Sequence, residues 1–227
     1  MELTLCAVFD IDDTLFLERD YVRSGFAAVG KWVARELSLK GFGECCWHNF
    51  LNGERGMIFD KALVQCGITP APDLIGSLVD IYRTHRPSIA LAPDAESALR
   101  AIYRFASLAV ITDGPLSSQT RKINALGILH MAFPIVLTSS LGAGYGKPHP
   151  RAYRYVEQCT PADIYVYIAD NPAKDFEAPA HLGWKTVRVR RRSGLHYEKE
   201  SVASVPDYEV IDCTALPGIL KNLMECR

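Results

Sequence analysis

The chain is predicted to be an α/β protein: a parallel sheet with helices on both faces and an all-helical subdomain inserted near the start. Three observations predict this. Leu3, Leu5, Cys6, Ala7, Val8 and Phe9 form a nearly continuous apolar run, the pattern of a strand buried on both faces. From Pro93 onward, short apolar runs alternate with helical periodicity, which argues for parallel strands joined by right-handed crossovers. Between these regions, about seventy residues carry helical spacing without a convincing strand.

Each element has a local reason. Val22, Phe26, Val29, Val33 and Leu37 recur at steps of three to four, giving one long amphipathic helix that Gly41 and Gly43 are expected to end. A shorter helix is expected around Trp47, Phe50 and Leu51, and Asn52-Gly53 is a turn signal. A third helix, near Ile58, Ala62 and Cys66, ends at Gly67; a fourth follows Pro70 and Pro72 with Leu74, Leu78 and Ile81 on one face. Asp94 is placed to cap a helix bearing Ala95, Ala98, Leu99, Ile102 and Phe105. Strand Leu108–Ile111 ends at Thr112-Asp113-Gly114, and the following helix (Leu116, Ile123, Leu126) closes at Gly127. Strand Ile135–Leu137 leads through Gly142, Gly144 and Gly146 to Lys147-Pro148-His149-Pro150. A helix with Ala152, Tyr155, Val156 and Cys159 on one face follows, then a capping turn at Thr160–Asp163. Strand Ile164–Ile168 ends at Asp170-Asn171-Pro172, a helix runs to about His181, and strands Lys185–Val189 and Tyr208–Ile211 precede a terminal helix. The basic run Arg188–Arg192 is read as a solvated strand end.

Composition narrows the function classes. With 227 residues, 48% apolar and 22% charged, the chain fits one large α/β domain or a core with an insertion. A net charge of -1 gives no electrostatic argument for nucleic acid or an anionic membrane. No apolar run has the length of a membrane span, and no basic-then-apolar leader opens the sequence. The seven cysteines (6, 45, 46, 66, 159, 213 and 226) lack C-x-x-C spacing, and 6, 159 and 213 fall at core-like positions. Reduced thiols, and so a cytoplasmic protein, are expected.

The chemistry lies at the strand ends. Asp10 and Asp12 follow the first strand, Thr112 and Asp113 the second, Lys147 the loop after the third, and Asp170 and Asp175 the fourth. A buried strand cannot carry unpaired charge, so these groups belong at the carboxyl edge of the sheet, where such folds bind ligands. Singly, each has an ordinary meaning: an Asp after a strand caps a helix, a Thr bonds nearby backbone, a Lys is solvated. Four such groups, one per strand, are not explained that way. Hard oxygen donors without His or Cys suit Mg²⁺, and a carboxylate can attack phosphorus while a second acts as acid and base. A hydroxyl and a lysine can hold phosphoryl oxygens as charge redistributes.

Asp10-Ile-Asp12-Asp-Thr14, Thr112-Asp-Gly114, Gly146-Lys147-Pro-His-Pro150 and Asp170-Asn-Pro-Ala-Lys-Asp175 resemble, in order and spacing, the four motifs of the haloacid dehalogenase-like hydrolases. The likeness spans nearly the whole chain, and the helical stretch resembles the cap of the phosphoglycolate phosphatase-like branch. The resemblance implies a Rossmann-like core over 1–15 and 89–227, a helical cap over 16–88, and an Mg²⁺-dependent phosphatase. It implies Asp10 as nucleophile, Asp12 as acid and base, and Thr112 and Lys147 as phosphoryl ligands. Asp113, Gly114 and Asn171 would line the phosphate site. Asp10, Asp12 (through its carbonyl), Asp170 and Asp175 would form the metal site. Asp13 and Ala169 stand where Gly is frequent, and Ser140 replaces a common acid; none of these removes a catalytic group. True dehalogenases lack the acid at position 12, because halide leaves without a proton. A phosphomutase would use the same groups.

The cap is expected to choose the substrate, a small phosphorylated metabolite such as a sugar phosphate or nucleoside monophosphate, by closing over the leaving group. Arg19 and Arg55 are the first candidates for that contact, ahead of Arg23, His48, Arg83, His85 and Arg86. Lys31, Lys40 and Lys61 read as solvated, which disfavours phosphonate cleavage through a cap Schiff base. A signalling receiver phosphorylated on Asp would need neither the helical insertion nor Asp12. The assembly is expected to be a monomer or homodimer.

Overall fold

The structure, a computed structural model, describes residues 3–200 and 204–225; Cys226, counted above among the thiols, lies outside them. Its contacts divide the chain into two compact units, Met1–Glu18 with Ala90–Arg227, and Arg19–Ile89.

The second unit is helical. Helix α1 (Glu18–Glu36) runs into it and buries Tyr21, Val22, Gly25, Phe26, Val29 and Val33, one stripe at helical spacing. Helix α2 spans Phe42–Leu51, α3 Ile58–Gln65 and α4 Pro72–Thr84, the last with Pro at its first turn. Phe26 meets Phe50, Phe59 and Tyr82 at ring separations of 6.3, 6.0 and 5.6 Å, so one aromatic cluster joins all four helices. Gly41 and Gly43 do not end α1, which stops at Glu36; they start α2. Gly41 adopts φ 81 as its N-cap. A Cβ on Gly43 would lie 2.6 Å from the Phe26 carbonyl oxygen, so close passage of α1 against α2 requires glycine.

The first unit is built on one six-stranded, all-parallel sheet, ordered β3-β2-β1-β4-β5-β6. The strands are β1 (Leu5–Phe9), β2 (Ser107–Thr112), β3 (Ile135–Leu137), β4 (Ile164–Ala169), β5 (Lys185–Val189) and β6 (Tyr208–Val210). Helices α5 (Pro93–Ile102), α6 (Leu116–Leu126), α7 (Arg151–Cys159), α8 (Glu177–His181) and α9 (Leu216–Glu225) complete it. In β1, Cys6 and Val8 join a core with Ala152, Tyr153 and Val156 of α7, while the intervening Ala7 and Phe9 are equally buried. Both faces are therefore covered, as the continuous apolar run requires. The sheet is the expected Rossmann-like α/β core.

Several local expectations need correction. In α7 the buried aromatic is Tyr153; Tyr155 is exposed and Cys159 half-buried, because the sheet takes the 152–153–156 stripe. Cys46 is buried instead, and the six described cysteines are all free. Asp94 does not cap α5, which starts at Pro93 with Ala92 as N-cap. Its carboxylate instead takes Arg191 at 2.7 and 3.1 Å and the Cys213 amide at 2.8 Å. The basic run is no solvated end: Arg188 is 1% exposed, and Arg191 also donates to the Thr14 carbonyl. Neighbouring carbonyls and carboxylates satisfy both guanidiniums, which makes their burial tolerable. Among the described residues, no helix is long and apolar enough to cross a membrane.

Candidate functional site

Sheet register places the strand-end groups together. Phe9 pairs with Val110 of β2 and Ile168 of β4, so Asp10, Thr112 and Asp170 follow within two residues of one row. The Asp10 amide donates to the Ile168 carbonyl at 2.9 Å, extending the ladder one residue beyond the strand. A cavity of about 100 Å³ opens there, lined by Asp10, Asp12, Asp113, Asp170 and Asn171 together with Glu18, Lys174 and His196.

Lys147 is the centre of the buried half. Its side chain is fully buried, and the ammonium lies 2.9 Å from Asp10, 2.7 Å from Asp175 and 3.0 Å from the Tyr167 hydroxyl. Burial opposes its charge, but Asp10 and Asp175 hold Lys147 protonated well above its ordinary range. Burial pushes the Asp10 carboxyl up to about 6 against the pull of Lys147. Asp170 is raised well above the carboxylate range, by burial first and then by Asp175 and Asp10. It makes no ion pair among the described residues. Asp175 also accepts the Asn171 amide at 3.0 Å, while the Asn171 side chain accepts the Ala173 amide. Oxygens of Asp10, Asp170 and Asp175 lie within 4.8 Å of one another, all buried. Three crowded hard oxygen donors, with the Asp10 and Asp170 carboxyls raised by burial and by their neighbouring carboxylates, are a set that a divalent cation fits.

The other half of the site is partly open. The Asp12 carboxylate accepts the Lys122 ammonium at 2.6 Å on one oxygen and the Gln119 amide at 3.0 Å on the other. Asp113 accepts the Thr138 hydroxyl at 2.5 Å and the Lys147 amide at 3.2 Å, and pairs with Lys174 at 3.2 Å. Burial opposes its ionisation, yet Lys147 and Lys174 hold it below the usual carboxylate range. Asp113 thus ties the loop after β3 to the end of β2. Gly114 has φ 139, and a Cβ there would lie 2.8 Å from the Gln119 side-chain nitrogen, which bonds the Asp113 carbonyl. Thr112 is fully buried, and its hydroxyl has no hydrogen-bond partner among the described residues. Asp13 is buried at φ 52 and accepts the Glu18 amide at 2.8 Å and the Leu195 amide at 2.6 Å.

Arg19 and Arg55 belong to the helical unit. Arg19 lies 5.8 Å from the Trp47 ring, beside Arg23 at 5.6 Å. Arg55 covers the Phe50 ring at 4.0 Å and donates to the Phe50 and Glu54 carbonyls, so its guanidinium holds its own turn. His85 is buried against Tyr82 and Ser24.

Sequence reading did not single out Glu18, Gln119, Lys122, Lys174 or His196 for the site. Gln119 and Lys122 stand three apart on α6, a spacing that puts both on one face and could have pointed to them. His196 arrives through the basic run: Arg188 donates to the His196 and Lys199 carbonyls at 2.9 and 2.6 Å and to the Asp170 carbonyl at 3.3 Å. Burial, with Lys199 and Lys174, lowers His196 to about 4 and keeps it neutral. Burial and then Asp12 push Glu18 up to about 7.

Fold and site define a class: an α/β protein whose acidic cleft opens at the carboxyl edge of an all-parallel sheet. The model of the haloacid dehalogenase-like hydrolase family matches residues 4–183, and the chain belongs to that family. A phosphoserine phosphatase from Thermus thermophilus is 32% identical over 162 residues, 70% of this chain. That match spans 61% of the relative's length. Among solved structures, the HAD-hydrolase YfnB from Bacillus subtilis, bound to magnesium, aligns with TM-score 0.67 at 17% identity, covering 96% of this chain and 99% of that one. A 2-haloacid dehalogenase from Pseudomonas syringae pv. Tomato DC3000 aligns with TM-score 0.65 at 19% identity, covering 97% and 100%. At such identities these two likenesses speak to the fold alone.

Proposed function

We propose that this chain is a phosphatase that hydrolyses a small phosphomonoester through an aspartyl-phosphate on Asp10. The observation that carries the reading is the separation of partners: Lys147 holds Asp10, whereas Lys122 and Gln119 hold Asp12. Two carboxylates in different surroundings can divide nucleophilic and proton-transfer work. An Asp10 oxygen attacks phosphorus as the ester P–O bond breaks, and the proton on Asp12 passes to the departing alkoxide. The products are an alcohol and an acyl phosphate on Asp10. Water then attacks that phosphorus, gives a proton to Asp12 and returns the bonding pair to Asp10, releasing inorganic phosphate. Lys147 and the unpartnered Thr112 hydroxyl hold the phosphoryl oxygens.

Asp10, the Asp12 backbone carbonyl and Asp170 would hold Mg²⁺, with Asp175 chiefly fixing Lys147. Bound there, the ion supplies positive charge against the carboxylates and the phosphoryl group. Asp12 separates this reading from dehalogenation, in which no leaving group needs a proton. The name of the Thermus relative supports a phosphomonoester and adds phosphoserine to the sugar phosphates and nucleoside monophosphates to be tested. Residues 16–88 are assigned the choice among them, with Arg19 and Arg55 as candidates. Free thiols support a reducing, cytoplasmic setting.

The test is phosphate release across a panel of sugar phosphates, nucleotides, phosphoserine and p-nitrophenyl phosphate, for wild type and Asp10→Asn. Turnover is expected in the wild type and abolished in the variant with the fold kept. Turnover retained by Asp10→Asn would remove the nucleophile assignment.

A further inference from the structure

We propose that Lys122 and Gln119 are positioning residues that clamp the Asp12 carboxylate by both oxygens, fixing the proton-transfer group of the reaction proposed above, on which this inference rests. Lys122 is a buried lysine outside the four motifs, with its side chain 5% exposed. Its ammonium contacts one Asp12 oxygen at 2.6 Å, and Gln119 reaches the other at 3.0 Å. Both donors come from the same face of α6. Gln119 also bonds the Asp113 carbonyl, and it can do so because Gly114 has no Cβ. The glycine of the second motif therefore makes room for the residue that orients the acid of the first.

The arrangement is not what packing alone would select. Burying an ammonium is expensive, and a methionine of similar length would fill the space without that penalty. A carboxylate gripped through both oxygens cannot rotate about its side-chain bonds, so its free lone pairs keep one direction. Asp12 lines the cavity beside Asp10 and remains 18% exposed, so that direction is available to a reacting group. Orientation set in advance of reaction lowers the entropic barrier to proton transfer.

Proton transfer from Asp12 matters unequally among substrates, which gives a readout that loss of structure would not reproduce. An alkoxide cannot leave without a proton, whereas p-nitrophenolate can. In Lys122→Met and Gln119→Leu, kcat/KM for an alkyl phosphate is expected to fall roughly 10- to 100-fold, a part of what general acid–base catalysis contributes. For p-nitrophenyl phosphate, kcat and KM should fall together, because hydrolysis of the phospho-enzyme is slowed while its formation is not. Lys122→Arg, which keeps a cation near Asp12, should recover part of the alkyl activity. In an Asp12→Asn background, Lys122→Met should change the rate of the p-nitrophenol burst by less than about 2-fold, since a residue acting through Asp12 has nothing left to orient.

Equal losses of kcat/KM on both ester types, or a further large loss in the Asp12→Asn background, would overturn the proposal; the second result would make Lys122 a direct phosphate ligand. Wild type inert toward the whole panel would overturn the phosphatase reading and this inference with it. Activity in the wild type with a uniform loss in the variants overturns the positioning role alone. Circular dichroism checks that each variant folds, and Gln119→Leu carries the test if Lys122→Met does not.

Discussion

Removing the Lys147 ammonium is the most severe single perturbation the site allows. Lys147→Met keeps the length of the side chain and deletes the charge. Asp10 and Asp175, with side chains 6% and 0% exposed, then face each other without a cation. Breaking a buried ion pair by deleting one partner costs about 3–5 kcal/mol, because the charge left behind has neither water nor partner. Here two charges are left, so the upper half of that range is expected. At about 2–4 °C per kcal/mol for a chain of this size, the melting temperature should drop by roughly 8–20 °C. Asp175→Asn in the same chain removes one of the stranded charges and should return more than half of the loss. Thermal unfolding in EDTA, followed by tryptophan fluorescence at neutral pH, measures all three proteins. A Lys147→Met protein as stable as wild type, or a double variant no better than the single one, would refute the reasoning, since the lysine would then not be neutralising buried carboxylates.

Other consequences follow from the same geometry. EDTA should stop phosphate release and added Mg²⁺ restore it; turnover indifferent to chelation would count against the assigned ligands. Asp94→Asn should cost about 2 kcal/mol at neutral pH, the range for hydrogen bonds to a charged group, read from urea midpoints. Burial opposes the Asp94 charge, but Arg191 and the Cys213 amide hold the carboxyl below its usual range. The unfolded chain therefore binds the proton more readily, so this stabilisation is complete at neutral pH and lost as pH falls below about 4. The variant should accordingly show a shallower acid limb than wild type. Gly43→Ala should weaken the helical unit by about 1–3 kcal/mol through its collision with the Phe26 carbonyl. Faster amide exchange in α1 and α2, with the sheet unaffected, is the expected pattern.

What the sequence made legible was whatever can be stated in one dimension. A run from Leu5 to Phe9 that stops at Asp10 identifies a buried strand and its open end, and four such ends give the acidic cleft. Partners chosen by the third dimension were not legible. Lys122 on a helix of mixed polarity reads as a surface lysine until α6 is seen against the loop bearing Asp12. Arg188 reads as a strand end until β4, β6 and the 196–199 loop surround it with acceptors. Asp94 has the composition of a helix cap, but a guanidinium bonded to both its oxygens outcompetes its own backbone. In α7, periodicity allowed either of two stripes, and only the sheet decided for Tyr153 over Tyr155.

The same distinction governs how two aspartates separated by one residue come to differ. Nothing in Asp10-Ile11-Asp12 alone assigns one acid to attack and the other to proton transfer. Asp10 is 4% exposed and looks toward Lys147, which a loop after β3 delivers and Asp175 and Tyr167 hold in place. Its carboxyl is pushed up to about 6 by burial, and once ionised it is held by that ammonium. Asp12 is more open and looks toward α6, where Lys122 and Gln119 bind one oxygen each. Exchanging the motif's two acids would thus change little in the loop itself but would mismatch each to its neighbours. On the proposed reading, specialisation of the pair resides in the groups contributed by β4, α6 and the loop after β3. A transplanted D-x-D motif lacking Lys147 and Lys122 should therefore bind a cation without acquiring turnover.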